Sequence, residues 1–159
     1  MAAPATTTRA TPSGRYLPDG FSTKIAFSRD SDFSIWETSV PAPGLDGGDA
    51  IDTTSMHNTT FRTMRSRKLY TLSELSVTGF FDPNFYNDAI NNLLNQEGSV
   101  TISFPDGSTL DFFGYLRSME VNDLVEGEVP SCTITIQPTN FDVANNVEAN
   151  PVLTEVAGT

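Results

Sequence analysis

The chain has 159 residues, and 20 acidic against nine basic residues leave a formal net charge of −11. That length suits one domain able to bury about 70% of its unfolded surface without disulfides, and the single Cys132 can form none within the chain. The acidic balance disfavours ordinary nucleic-acid binding, which neutralises phosphates. One His and one Cys exclude a metal site rich in those ligands, and no apolar run approaches the ~20 residues of a membrane-spanning helix.

Residues 1–20 are rich in Ala, Thr, Pro and Ser and hold almost no large apolar residue before Tyr16. They bury too little to offset the entropy of ordering and are expected to form an extended N-terminal arm. The first dozen residues lack a basic segment and an apolar core, so no secretory signal is expected. Thr23-Lys24-Ile25-Ala26-Phe27 and Asp32 to Thr38 read as two strands, and Ser28 to Ser31 has the length of a hairpin turn between them.

Residues 41–68 read as a long loop, from Pro41-Ala42-Pro43-Gly44 through Gly47-Gly48 into a Thr, Asn and Met-rich stretch. Such loops are uncommon in compact domains and are usually functional or disordered. Leu75, Val77 and Gly79 then alternate with Glu74, Ser76 and Thr78 as a strand. Asp82-Pro83 is a helix start. Phe85, Tyr86, Ala89, Ile90, Leu93 and Leu94 recur at helical spacing, which predicts a helix over 83–96 stopped at Gly98.

Val100, Ile102 and Phe104 alternate with Thr101 and Ser103 up to the turn Pro105-Asp106-Gly107-Ser108. Leu110 to Glu120 is the next strand. An acidic connection from Asn122 to Pro130 leads to Cys132, Ile134 and Ile136 alternating with Thr133 and Thr135. The pattern ends after Asn140, and residues 143–159 are expected to form a C-terminal arm. The order predicts a mainly β (α+β) fold over 21–142: an antiparallel β-sandwich or barrel with one flanking helix, a long loop and terminal arms.

Catalytic motifs are weak. His57 lies in the long loop beside Ser55 and Asn58, without a nucleophile elbow. Asp46, Asp49 and Asp52 can offer oxygen ligands to a hard cation, but lack the EF-hand spacing. Cys132, on an apolar strand, reads as a small buried hydrophobe. No enzyme activity, cofactor or metal is expected.

Charge is distributed unevenly. Arg62, Arg65, Arg67 and Lys68 place four of the nine basic residues within seven positions, while only Arg117 is basic thereafter, against 13 acids from Glu74 to Glu155. A basic loop on an acidic protein suits self-association, with the loop of one copy meeting an acidic face of the next. Ser76 and Thr78, Thr101 and Ser103, and Thr133 and Thr135 make successive strands polar and uncharged on one face. Such a face is either ordinary solvent-facing surface or the lining of an aqueous channel.

From Phe80 to Asp142 the chain resembles the tail tube (major tail) proteins of long-tailed bacteriophages with non-contractile tails. The helix ending Leu93-Leu94-Asn95-Gln96-Glu97-Gly98, the Phe104-Pro105-Asp106-Gly107 hairpin, the aromatic-glycine strand Asp111-Phe112-Phe113-Gly114-Tyr115-Leu116 and the closing Thr133-Ile134-Thr135-Ile136 strand follow the family's order. The N-terminal half matches only in layout. The resemblance implies a structural virion protein of the tail, assembled in the host cytoplasm as stacked hexameric rings. DNA would pass through the lumen without sequence-specific binding, and the other partners would be a tape measure protein and tail terminator or tip proteins. On this reading Arg62, Arg65, Arg67 and Lys68 are candidates for inter-ring contact through the 41–68 loop, and Thr101, Ser103, Thr133 and Thr135 for the lumen. The same fold occurs in contractile tails, head–tail completion proteins and secretion-system tubes. The alternatives are a small β-sandwich binding module using the 41–68 loop, and a hydrolase using His57 or the three aspartates.

Overall fold

The computed structural model describes residues 23–30 and 35–155. The expected arm over 1–20 lies outside them. Along the chain come β1 (Lys24–Phe27), β2 (Trp36–Ser39), β3 (Leu45–Asp46), β4 (Ile51–Asp52), β5 (Met64–Arg65), β6 (Thr71–Leu72) and β7 (Leu75–Phe80). Helix α1 (Pro83–Asp88) continues as a π-helical turn, Ala89–Leu93. Then follow β8 (Gly98–Ser103), β9 (Thr109–Val121), β10 (Ser131–Pro138), β11 (Phe141–Asp142), β12 (Val147–Glu148) and β13 (Val152–Thr154).

The main sheet runs β1-β8-β9-β10-β7-β2, antiparallel throughout. Its inward residues are the apolar half of each alternation: Val100 and Ile102, Phe112 and Leu116, Cys132, Ile134 and Ile136, and Leu75 and Val77 are all buried. Each such side chain stabilises the fold by about 1.5–3 kcal/mol on burial. The opposite residues of β8 and β10 are only half-buried. The fold is thus mainly antiparallel β with one flanking helix, as the alternation predicts.

The predicted hairpin between the first two strands is absent. β1 pairs with β8 and β2 with β7, at opposite ends of the strand order. The segment after β1 is tied elsewhere: Ser28 N donates to Ser99 O at 2.9 Å, Ser99 N returns to Ser28 Oγ at 3.0 Å, and Asn92 Nδ2 reaches Asp30 Oδ2 at 3.1 Å. Yet the two edges meet. Ile25 N donates to Glu37 Oε1 at 3.0 Å, so a carboxylate joins the edges as the sheet rolls up. Glu37 thus occupies a backbone donor that an open edge would leave free.

The helix begins as expected: Pro83 is at its first position and the Asp82 carboxylate accepts from Asn84 N at 3.0 Å. It ends sooner than expected. Leu94 is extended, Asn95 adopts φ 56°, and Gly98 opens β8. Asn tolerates the left-handed region well enough to replace a glycine stop. Asn95 N then donates to Leu116 O at 3.0 Å, tying the helix exit to β9. Phe85, Ala89 and Leu93 enter the core, whereas Tyr86 and Ile90 are exposed.

Strand β9 is the longest element. Its first half carries β8 along one edge and β13 along the other, and its second half carries β10 where β13 leaves off. A bulge near Arg117 shifts the register between Thr135 and Ile136. Of the residues expected as a C-terminal arm, Val147–Glu148 pair with Phe141–Asp142 in a short hairpin and Val152–Thr154 lie on β9, while 156–159 are outside the described residues.

Candidate functional site

Two features stand out from the barrel: a projecting ribbon, and the outward face of the sheet. The predicted long loop is a two-stranded ribbon. Leu45–Asp46 pairs with Thr71–Leu72 and Ile51–Asp52 with Met64–Arg65. Gly44 and Ser73 fasten its root: Ser73 N donates to Gly44 O, and Gly44 N to Ser73 Oγ, both at 2.9 Å. From Gly44 to Thr71 every residue except Asn58 is exposed. Exposed apolar side chains run along it: Leu45 at 79%, Met56 at 100%, Phe61 at 81%, and Leu69 at 82% beside Tyr70. An isolated two-stranded ribbon is marginal in water, and contiguous apolar exposure marks an interaction surface.

Its polar groups stabilise turns. Asp46 Oδ1 accepts from Gly48 N at 2.8 Å, where Gly48 has φ 76°. Asp52 Oδ1 accepts from Thr54 N at 2.9 Å. Hydrogen bonds from the Thr54 side chain and backbone hold the Asp52 carboxyl below its ordinary range. His57 sits near the ribbon tip, its backbone N–H on Ser55 Oγ at 3.3 Å. Among the described residues no three His, Cys, Asp or Glu side chains converge as a metal cluster. Cys132 is buried, and burial pushes its thiol pKa up.

The four basic residues do not form one site. Arg65, Arg67 and Lys68 line a cleft of about 400 Å³ together with Ile51, Ser66 and Leu69. Arg67 Nε donates to Asp49 O at 2.8 Å across the ribbon. Arg62 lies nearer the tip, 3.5 Å from Asp52 Oδ2. That pair is exposed and contributes little stability.

The hydroxyl face is likewise divided. Thr133 stands between Thr78 and Glu120, and Thr135 between Ser76 and Ser118, forming one polar patch on neighbouring strands. Thr101 and Ser103 lie opposite Asp111 and Thr109, in the first half of β9. Thr101 Oγ1 donates to Asp111 Oδ1 at 2.5 Å. Asp111 and Ser118 are seven positions apart along β9, or about 24 Å at strand rise. All four residues face away from the core, but the structure brings together only those on the same strand.

Two features escaped the sequence reading. One is the apolar content of the ribbon, where Phe61, Leu69 and Tyr70 flank the run of basic residues. The other is the aliphatic content of the acidic β9–β10 connection, which exposes Leu124, Val125 and Val129 between acidic residues. Its alternation of acid and aliphatic side chains was the available signal.

No family model matches the chain, and no curated protein matches its sequence. Among solved structures, a chain in the cryo-EM structure of the anti-feeding prophage baseplate, 6-fold symmetrised, is similar in fold. The TM-score is 0.57 at 9% sequence identity, covering 83% of this chain and 90% of that one. At that identity the likeness is one of fold alone.

Proposed function

We propose that this chain is a structural virion protein of a phage-type tail, whose copies form hexameric rings that stack into the tail tube. The observation that carries this reading is the ribbon from Gly44 to Thr71, exposed along its length and studded with apolar side chains. It packs on so little of its own barrel that an adjacent subunit is the natural surface to cover it. A fold shared with a chain of a six-fold symmetrised prophage baseplate supports the same reading.

In such a tube, lateral pairing covers the outer strands, and the ribbon reaches a neighbouring ring through Arg62, Arg65, Arg67 and Lys68. Thr101, Ser103, Thr133 and Thr135 face the lumen. Their short hydroxyls offer no cation to a passing polyanion, so DNA moves through without being held. A tape measure protein fills the lumen before ejection, and terminator and tip proteins close the ends. The subunit acts through assembly and carries no catalytic step.

Negative-stain electron microscopy of the purified full chain across a concentration series tests this. The expected result is rings or hollow tubes of uniform width with six-fold averages. A chain that stays monomeric at every concentration would overturn the reading and leave the ribbon as the recognition loop of a small binding module.

A further inference from the structure

We infer that the basic cleft on the ribbon of one copy seats the acidic β9–β10 turn of a second copy. This rests on the assembly reading above and names the segment that the ribbon takes.

The cleft has two kinds of wall. Ile51 and Leu69 are apolar, whereas Arg65, Arg67 and Lys68 are cationic. Arg65 and Lys68 form no ion pair with a described residue, and Arg67 uses only its Nε, on Asp49 O. An occupant must therefore bring carboxylates and aliphatic groups in close alternation.

The β9–β10 turn has that composition. Residues 122–130 carry Asp123, Glu126 and Glu128 and no cation. Leu124, Val125 and Val129 lie between and beside them, at 69%, 53% and 63% exposure. The segment is held in shape. Asn122 N donates to Ser131 O at 3.0 Å and Asn122 Nδ2 to Ser131 Oγ at 2.7 Å. Glu128 N closes on Val125 O at 3.2 Å around Gly127, whose φ of 87° a side chain would resist. A turn ordered in advance loses little entropy on docking.

Topology explains why the partner is a second copy. β7 begins at Leu75 opposite Ile136 and ends at Phe80 opposite Ser131. The ribbon is rooted beside the Leu75 end, through Ser73 and Leu72. The acidic turn lies beyond Ser131, at the other end of the same two strands. The two roots are thus separated by the length of β7, about 20 Å. A copy that offers its ribbon to one neighbour keeps its own acidic turn for another. Such a contact is heterologous, closing into a ring or propagating along a stack according to the rotation between copies.

Two double variants test the pairing. Arg65→Glu with Lys68→Glu makes the ribbon acidic, and Glu126→Lys with Glu128→Lys makes the turn basic. All four positions are exposed, and circular dichroism checks that each variant is folded. Alone, each variant presents like charges at every contact, and its critical concentration for assembly, read by sedimentation and negative stain, should rise about tenfold or more. Mixed in equal amounts, each variant's ribbon meets the other's complementary turn, and assembly should return to within about threefold of the unaltered chain. Variants that assemble alone as the parent does would overturn the pairing and leave the tube intact. Folded variants that remain blocked when mixed would overturn it too. If only the ribbon variant is blocked, the cleft takes a different surface. If the unaltered chain never assembles, the tube reading has failed and the pairing falls with it.

Discussion

Gly114 lies where three strands crowd together. It is buried on β9, paired with Gly98 of β8 on one side and Pro138 of β10 on the other. A Cβ there would stand 2.7 Å from Gln137 O, 3.2 Å from Pro138 Cα and 3.3 Å from Gln137 C. Comfortable contact between carbons begins at about 3.5 Å. All three atoms are backbone, so no side chain can rotate away and β10 itself must shift. Overpacking of this kind costs about 1–3 kcal/mol. The lost freedom of glycine in the unfolded chain offsets about 0.4–1 kcal/mol. The net cost for Gly114→Ala is then about 1–2 kcal/mol, a fall in Tm of about 2–8 °C for a chain of this length. Far-UV circular dichroism melts on dilute protein measure it without interference from assembly. Gly47→Ala is the control, because its Cβ meets nothing within 4 Å. The control should leave Tm unchanged or slightly raised. A Gly114→Ala protein melting at or above the parent temperature would refute the close-approach argument.

Three other outcomes are expected. Glu37→Ala removes the acceptor for Ile25 N at the seam of the sheet and should cost about 1–3 kcal/mol with faster amide exchange at Ile25, whereas Glu37→Gln, which keeps an acceptor, should cost less. Cys132 should resist a thiol reagent such as Ellman's in the native protein and react fully in denaturant, because it is buried with a raised pKa; rapid native labelling would contradict its placement. Asp52 has a folded pKa below its ordinary 3.8. Its contribution to the ribbon turn is therefore complete above that value and lost as pH falls through the depressed one. The Thr54 amide resonance should titrate accordingly, and a midpoint above 3.8 would contradict the hydrogen bonding.

Strands β8, β9 and β10 were legible because each buries one face, and burial imposes a period of two on residues such as Val100, Ile102, Ile134 and Ile136. The helix start was legible because Asp82 and Pro83 act locally. What depends on distant partners was not. Ser28 to Ser31 has hairpin length, but Ser28 bonds to Ser99, and a turn's composition does not reveal which strand its neighbours will join. The ribbon pairs only two residues at a time, too few to alternate, so it read as loop. Val152 to Thr154 showed no pattern because a strand exposed on both faces needs none. Among the candidate residues, the clustering of Arg65, Arg67 and Lys68 follows from adjacency in sequence. The separation of Thr101 and Ser103 from Thr133 and Thr135 arises from the length of β9, which pairs with β8 and β10 at different heights.

The only tryptophan of the chain, Trp36, is on the outermost strand of the main sheet, across from Phe80 and 69% exposed. Its indole is already largely in water when the protein is folded, so its emission will change little on unfolding. A subunit that covers that strand would move the indole into an apolar setting and shift its emission to shorter wavelength. In an assembly of that kind the tryptophan is an optical reporter of lateral contact, nearly silent to folding and readable in real time without a label.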